Sequence, residues 1–301
     1  MPPELIISPQ NPKVKRLLAL QKDSSLRRET GLFVVEGRRE IQRCIDAGFE
    51  IDSIFFCPAV SGEGAGGLSP ETAEVRSRVP DEAPLGAKRA QNALKGAGEC
   101  TLERTGALQG TKTFEVSKAV YEKIAYRGST EGVIAEVRAR KLGLEDLQLT
   151  DNPLIVVLES VEKPGNLGAV LRSADAAGAA AVLVCDPLTD LYNPNLIRSS
   201  TGAAFSVPCV ACTSEEAIKW LKLKGVRILT AQLQDSVLYY DTNMRDATAI
   251  VMGTESTGLS QQWRAAADAH IRIPMLGVAD SLNVSVSAAI LLYEAVRQRQ
   301  Q

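Results

Sequence analysis

From Leu154 onward the chain alternates short apolar runs with helix-length amphipathic stretches, and no other feature limits its fold as much. Strand candidates are 154–159, 180–185, 206–211, 226–231, 249–252 and 270–274. Helix candidates are 166–177, 214–223 and 283–297. A run such as Leu154-Ile155-Val156-Val157-Leu158 has no polar alternation, so both of its faces must be covered. Strands of this kind spaced by helices predict an α/β fold, a parallel sheet with helices on both sides. Ligands of such sheets sit beyond the carboxyl ends of the strands.

The remaining sequence predicts a second, smaller α/β domain in front. At 301 residues the chain is long enough for two. Val14, Leu17, Leu18 and Leu20 give a helical stripe after Pro12, and 32–35 reads as a strand. A helix runs from Gly37 through Ile41 and Ile45 to Gly48, followed by a strand at 51–57. Further elements are expected at 114–116, 119–125 and 132–138. Residues 60–111 are rich in Gly, Ala, Glu and Pro with few large apolar side chains, which predicts a long mobile insertion. The expected division is 1–140, a linker at 141–152, and 153–301. Within the insertion, residues 62–67 satisfy the pattern GxGxxG after a strand. They run into Leu68-Ser69-Pro70-Glu71 rather than an apolar helix, which disfavours a dinucleotide loop. A nucleotide-dependent oxidoreductase built on this loop is kept as a rival reading.

Net charge is −2, which excludes a uniformly basic nucleic-acid coat. The charge is uneven, however. Residues 1–43 carry nine Lys/Arg against five Asp/Glu, and residues 151–301 carry 12 against 15. The basic leading segment can meet phosphate, or be a solvated helix face. His270 is the single histidine and aromatics make up 5%, so neither multi-histidine catalysis nor rows of stacking aromatics is expected. Six scattered cysteines without a secretory leader predict free thiols. Cys209-Val210-Ala211-Cys212 is a lone CxxC without the further ligands of a zinc site, so no metal is expected. No apolar run is long enough for a membrane span, and a cytoplasmic protein is expected.

Three glycine-bearing polar segments follow strands in the second half. The first runs from Glu159 to Gly168 and leads into a helix carrying Arg172; Asn166 is the expected N-cap. Six helical residues rotate by about 600°, placing Arg172 about 120° from Asn166. Taken alone, Arg172 could equally be a solvated arginine. The second is Gly253-Thr254-Glu255-Ser256-Thr257-Gly258-Leu259, where two glycines allow close backbone approach around a carboxylate. The third runs from Ile273 to Ala288, with Ser281 or Asn283 as the cap of an apolar helix that must be buried on most sides, inside the domain or at a dimer interface.

Together these segments resemble the SpoU/TrmH family of RNA ribose 2′-O-methyltransferases, of the SPOUT class. Lys163-Pro164-Gly165-Asn166-Leu167-Gly168 through Arg172 resembles the family's first motif, Gly253 to Leu259 its second (GxExxGL), and Ile273-Pro274-Met275 through Ser281-Leu282-Asn283-Val284-Ser285 its third. The first half resembles the family's ribosomal-protein-like substrate-binding domain through Ser8-Pro9-Gln10-Asn11-Pro12, Phe33-Val34-Val35-Glu36-Gly37 and Tyr126-Arg127-Gly128-Ser129-Thr130-Glu131-Gly132. The departure is the insertion at 60–111.

The resemblance implies a C-terminal trefoil knot, a homodimer, and S-adenosylmethionine bound by Gly253, Glu255, Ile273, Met275, Ser281, Leu282 and Asn283, with Ile273 and Leu282 walling the adenine. It implies methyl transfer to a ribose 2′-hydroxyl of RNA, ribosomal rather than transfer RNA, with Arg172 as the central group. Asn166, Glu255, Ser281 and Asn283 would orient it and the substrate. Arg172 would serve as a base or as a cation at the developing alkoxide, and arginine's persistent charge favours the cation. Arg27, Arg28, Arg38 and Arg39 are the expected phosphate contacts. A non-catalytic RNA-binding homologue and a transfer-RNA methyltransferase are the alternatives.

Overall fold

A computed structural model of the chain describes residues 3–61, 111–126, 131–254 and 257–301. The expected mobile insertion, with its GxGxxG loop, lies almost wholly outside the described residues, as do residues 127–130 and Glu255. The chain forms two compact units, Met1–Ala19 with Val35–Arg138, and Leu20–Val34 with Ala139–Gln301. Residues 20–34 thus cluster with the second compact unit rather than the first. The Phe33 ring stacks on Tyr192 with centroids 4.3 Å apart, and buried Arg27 pairs with Asp190 at 2.5 Å.

The N-terminal elements are β1 (Glu4–Ile6), α1 (Pro12–Lys22), α2 (Ser24–Thr30), β2 (Leu32–Glu36), α3 (Arg38–Asp46), β3 (Ile51–Phe56), α4 (Pro58–Ser61), β4 (Lys112–Val116), α5 (Lys118–Ile124) and β5 (Val133–Arg138). Asp23 caps α2 by accepting from the backbone N–H groups of Ser25 and Leu26, and Ser117 caps α5 in the same way at Val120. The five strands form one sheet in the order β1-β4-β3-β5-β2, with β3 parallel to β4 and antiparallel to β5. Glu136 is fully buried on β5; its carboxylate accepts from Ser53 Oγ at 2.8 Å and pairs with Arg16.

The second unit continues with β6 (Leu154–Glu159), α6 (Pro164–Ala176), β7 (Ala181–Cys185), α7 (Pro194–Ser199), α8 (Ala203–Ser206), β8 (Cys209–Cys212), α9 (Ser214–Leu223), β9 (Arg227–Ala231), β10 (Val237–Leu238), β11 (Thr248–Met252), α10 (Gln261–Ala266), β12 (Ala269–Arg272) and α11 (Val284–Arg299). The seven strands lie in the order β10-β12-β9-β11-β6-β7-β8, and every pairing is parallel. Alternate residues of β6 feed opposite cores. Leu154, Val156 and Leu158 pack with α6 and α11, while Ile155 and Val157 pack with Trp220 of α9 and Trp263 of α10. This is the two-faced burial that the unbroken apolar runs predict. Among the described residues no helix is long and apolar enough to cross a membrane.

Two expected elements differ. The strand expected at 206–211 begins only at Cys209, because Pro208 has no N–H to pair and the chain before it forms the short helix α8. Asn166 is not the cap of α6. Pro164, with its fixed φ, starts the helix two residues earlier, and Lys163 takes the cap position.

Candidate active site

Four neighbouring strands, in the order β12-β9-β11-β6, end on one side of the sheet, and the three polar segments leave three of them. Beyond β6, Ser160 adopts a left-handed φ of 52° while its N–H donates to Cys185 O at 2.8 Å. This turns the chain into α6 and sets Asn166 in the first helical turn. Gly168, two residues on, lies against α7. A Cβ there would stand 2.5 Å from Leu196 O and 2.9 Å from Ser200 N, so only glycine lets the two helices approach this closely.

Beyond β11 the chain doubles back. Thr254 and Gly258 form an isolated bridge, and Gly258 N donates to Thr254 O at 3.1 Å. A Cβ on Gly253 would meet the Gly258 carbonyl and stand 2.6 Å from Leu259 N. The far end of this loop is held by Glu159, a buried carboxylate at the end of β6 whose Oε2 accepts from Ser260 N at 2.8 Å. Beside it, Ser214 Oγ accepts from Trp263 Nε1 at 3.0 Å and donates to Asp186 Oδ2 at 2.6 Å. Glu159 was visible in the sequence as an acid closing an apolar run, but no motif assigns it a role.

Beyond β12, Asn283 caps α11. Its Oδ1 accepts from Ser285 N at 3.0 Å and Ser285 Oγ at 2.7 Å, while its Nδ2 donates to Asn166 Oδ1 at 3.2 Å. The first and third segments therefore meet through two carboxamides.

The second and third segments enclose a cavity of about 340 Å³. Of the residues expected to bind the cofactor, Gly253, Ile273, Met275, Ser281 and Leu282 line this cavity. Asn283 does not, being turned to Asn166 and its own helix, and Glu255 lies outside the described residues. Gln232 and Arg264 line it as well; neither belongs to a recognisable motif. A smaller cavity of about 130 Å³, lined by Ser160, Lys163 and Asn166, shares Gly253, Thr254 and Val284 with the first. Arg172 lines neither. It stands exposed on α6, six residues past Asn166, so the central position expected for it is not formed within this one chain. His270 is bonded through Nδ1 to Thr230 Oγ1 at 2.6 Å and is also absent from both cavities.

Of the four expected phosphate contacts, Arg28, Arg38 and Arg39 are exposed. Arg27 is withdrawn: it is 4% exposed, and besides Asp190 it donates from Nη1 to Leu20 O at 2.5 Å. The CxxC cysteines are also placed differently from their spacing. Cys212 Sγ lies 3.9 Å from Cys185 Sγ on β7; this contact, reinforced by burial, drives the Cys185 pKa far up, and the same contact lowers that of Cys212 against the opposing effect of burial. Burial first, and then the neighbouring Cys212, push Cys209 up to about 12.

Residues 153–293 match the SpoU rRNA methylase family, and residues 11–135 match the MRM3-like substrate binding domain. The 23S rRNA (guanosine-2′-O-)-methyltransferase RlmB of Vibrio cholerae is 37% identical over 196 residues, covering 63% of this chain and 79% of that protein. The chain belongs to the SpoU rRNA methylase family. Among solved structures, an RNA 2′-O ribose methyltransferase is 38% identical with a TM-score of 0.74, covering 99% of this chain and all of the other. An AdoMet-bound rRNA methyltransferase from Sinorhizobium meliloti is 28% identical with a TM-score of 0.77, covering 98% and 97%.

Proposed function

We propose that this protein transfers a methyl group from S-adenosylmethionine to a ribose 2′-hydroxyl of ribosomal RNA. The observation that carries the reading is the convergence of all three segments at the ends of β6, β11 and β12. Two of them enclose a cavity of about 340 Å³, within the range for a drug-sized ligand, and the first lines the smaller one beside it. Apolar walls at Ile273 and Leu282, with main chain at Gly253, suit a nucleoside. When bound, S-adenosylmethionine supplies an electrophilic sulfonium methyl.

The residues have separate tasks. Asn166 and Asn283, bonded to each other, orient the acceptor beside the cofactor cavity, and Ser281 lines that cavity at its rim. Such positioning can itself be worth about 7–11 kcal/mol. Arg172 stands in solvent, where an RNA strand arrives, and acts as a cation that stabilises the developing alkoxide and the adjoining phosphate; the hydroxyl proton passes to solvent, the oxygen takes the methyl, and the S–CH3 bond breaks to leave the neutral thioether. Arg28, Arg38 and Arg39 hold the RNA backbone. The protein works in the cytoplasm as a homodimer, its third-segment loops threaded in the family's knot. Val286 and Tyr293, seven residues apart on α11 and 46% and 51% exposed, supply an apolar stripe for the second subunit.

Incubation with methyl-labelled S-adenosylmethionine and total RNA tests the reading. Label is expected at ribose 2′-oxygens of ribosomal RNA, and Arg172→Ala should abolish it while cofactor affinity stays unchanged. Label confined to transfer RNA, or none at all, would refute the proposal.

A further inference from the structure

We propose that Gln232 reads the exocyclic amine of the cofactor's adenine. The inference rests on the cofactor assignment above and adds a specificity-determining residue to it. Gln232 follows the last residue of β9. Its backbone N–H donates to Ile271 O at 3.0 Å, carrying the β9–β12 pairing one step past Ala231 and Ile271. That bond fixes Gln232 at the rim where the third segment leaves β12. The side chain is fixed as well, because Nε2 donates to Gln234 O at 2.9 Å. Turning the amide over would set its oxygen against that carbonyl, acceptor against acceptor, so its orientation is decided.

The remaining atom is Oε1. It is buried and has no hydrogen-bond partner among the described residues. A buried acceptor without a donor is unfavourable, and Gln232 lines the 340 Å³ cavity, so the missing donor is a group of whatever fills it. A nucleoside-bearing sulfonium offers three kinds of donor: an ammonium, ribose hydroxyls and the amine of adenine. A buried neutral acceptor suits a neutral donor, whereas a buried ammonium calls for a carboxylate. Gln232 is tied to Ile271, two residues before Ile273, and Ile273 with Leu282 forms the wall assigned to adenine. The carboxamide oxygen at that end meets the amine. A nucleobase with a carbonyl at this position, as in hypoxanthine or guanine, would set two acceptors face to face, so Gln232 excludes it. Exclusion matters for an enzyme whose substrate is itself rich in such bases.

Isothermal titration with S-adenosylhomocysteine and S-inosylhomocysteine tests this, since the two differ by amine against carbonyl at that position. The wild-type protein should bind the adenosyl compound at least about tenfold more tightly. Gln232→Leu should weaken S-adenosylhomocysteine about tenfold, leave S-inosylhomocysteine within about twofold, and so erase the preference. A variant that keeps the preference would overturn the proposal. Should Gln232→Leu fail to fold, the wild-type protein decides alone, because equal binding of both compounds overturns the inference. Wild-type protein that binds neither compound overturns the cofactor assignment and this inference together.

Discussion

Adding one methyl group to Gly253 should disable the cofactor loop without touching any polar group. The Cβ of an alanine would stand 2.6 Å from Leu259 N and would meet the Gly258 carbonyl. Ordinary contact begins at 3.4 Å, so the loop must retreat by at least 0.8 Å. The obstacles are backbone atoms, and Leu259 beyond them is 3% exposed in the core, so no side chain can swing aside to absorb the move. Overpacking of this kind costs about 1–3 kcal/mol. For a cooperative unit of this size that corresponds to a fall in Tm of about 2–12 °C. The functional cost should exceed the stability cost, because misplacement by about 1 Å can lower turnover about 100-fold. Gly165→Ala is the stability control: its methyl meets nothing within 4 Å, and alanine favours the helix by about 0.5–1 kcal/mol. Calorimetric titration with S-adenosylhomocysteine, beside thermal melts of both variants, reads the two effects. Wild-type affinity and Tm in Gly253→Ala would refute the argument that this doubled-back loop forms the cavity wall.

Arg38→Ala with Arg39→Ala should weaken RNA binding and flatten its salt slope, whereas Arg27→Ala should chiefly lower Tm, leaving Asp190 without its buried partner. Filter binding at several salt concentrations separates the two. Glu159→Leu leaves Ser260 N without its acceptor and should cost about 1–3 kcal/mol in a urea titration, with loss of S-adenosylhomocysteine affinity. The Glu294 carboxyl is held below its ordinary value of 4.5 by the hydrogen bond from Arg297. Its stabilisation is complete above that value and disappears as pH falls through the lowered one. Melts between neutral pH and pH 3 should show a loss in the wild-type protein that is smaller in Arg297→Gln.

The parallel sheet was legible because its strands are apolar on both faces, and five of the cavity's lining residues were legible because they fall in motifs. Short or polar elements escaped. β1 has three residues, two of them exposed, and α2 is almost entirely polar, so neither carries a periodic signal. Asn166 was misplaced because proline chemistry at 164 outweighed asparagine's capping preference. Gln232 and Glu159 escaped for a different reason: each is fixed by hydrogen bonds to residues distant in sequence, Ile271 and Ser260, which no local spacing records. Arg27 was misread because charge counting cannot tell a solvated guanidinium from one whose partner lies 163 residues away.

That last separation has a consequence for how the protein is made. Arg27 and Phe33 leave the ribosome long before Asp190, Tyr192 and Phe205 exist. At about 5–20 residues per second, 163 residues take about 8–33 s to synthesise. Throughout that interval an aromatic ring and an arginine destined for burial wait without their sockets. The two core clusters around the parallel sheet draw only on residues from 144 onward and can close without the early segment, but a chain trimmed to 153–301 would uncover the Tyr192 and Phe205 rings that Phe33 stacks against.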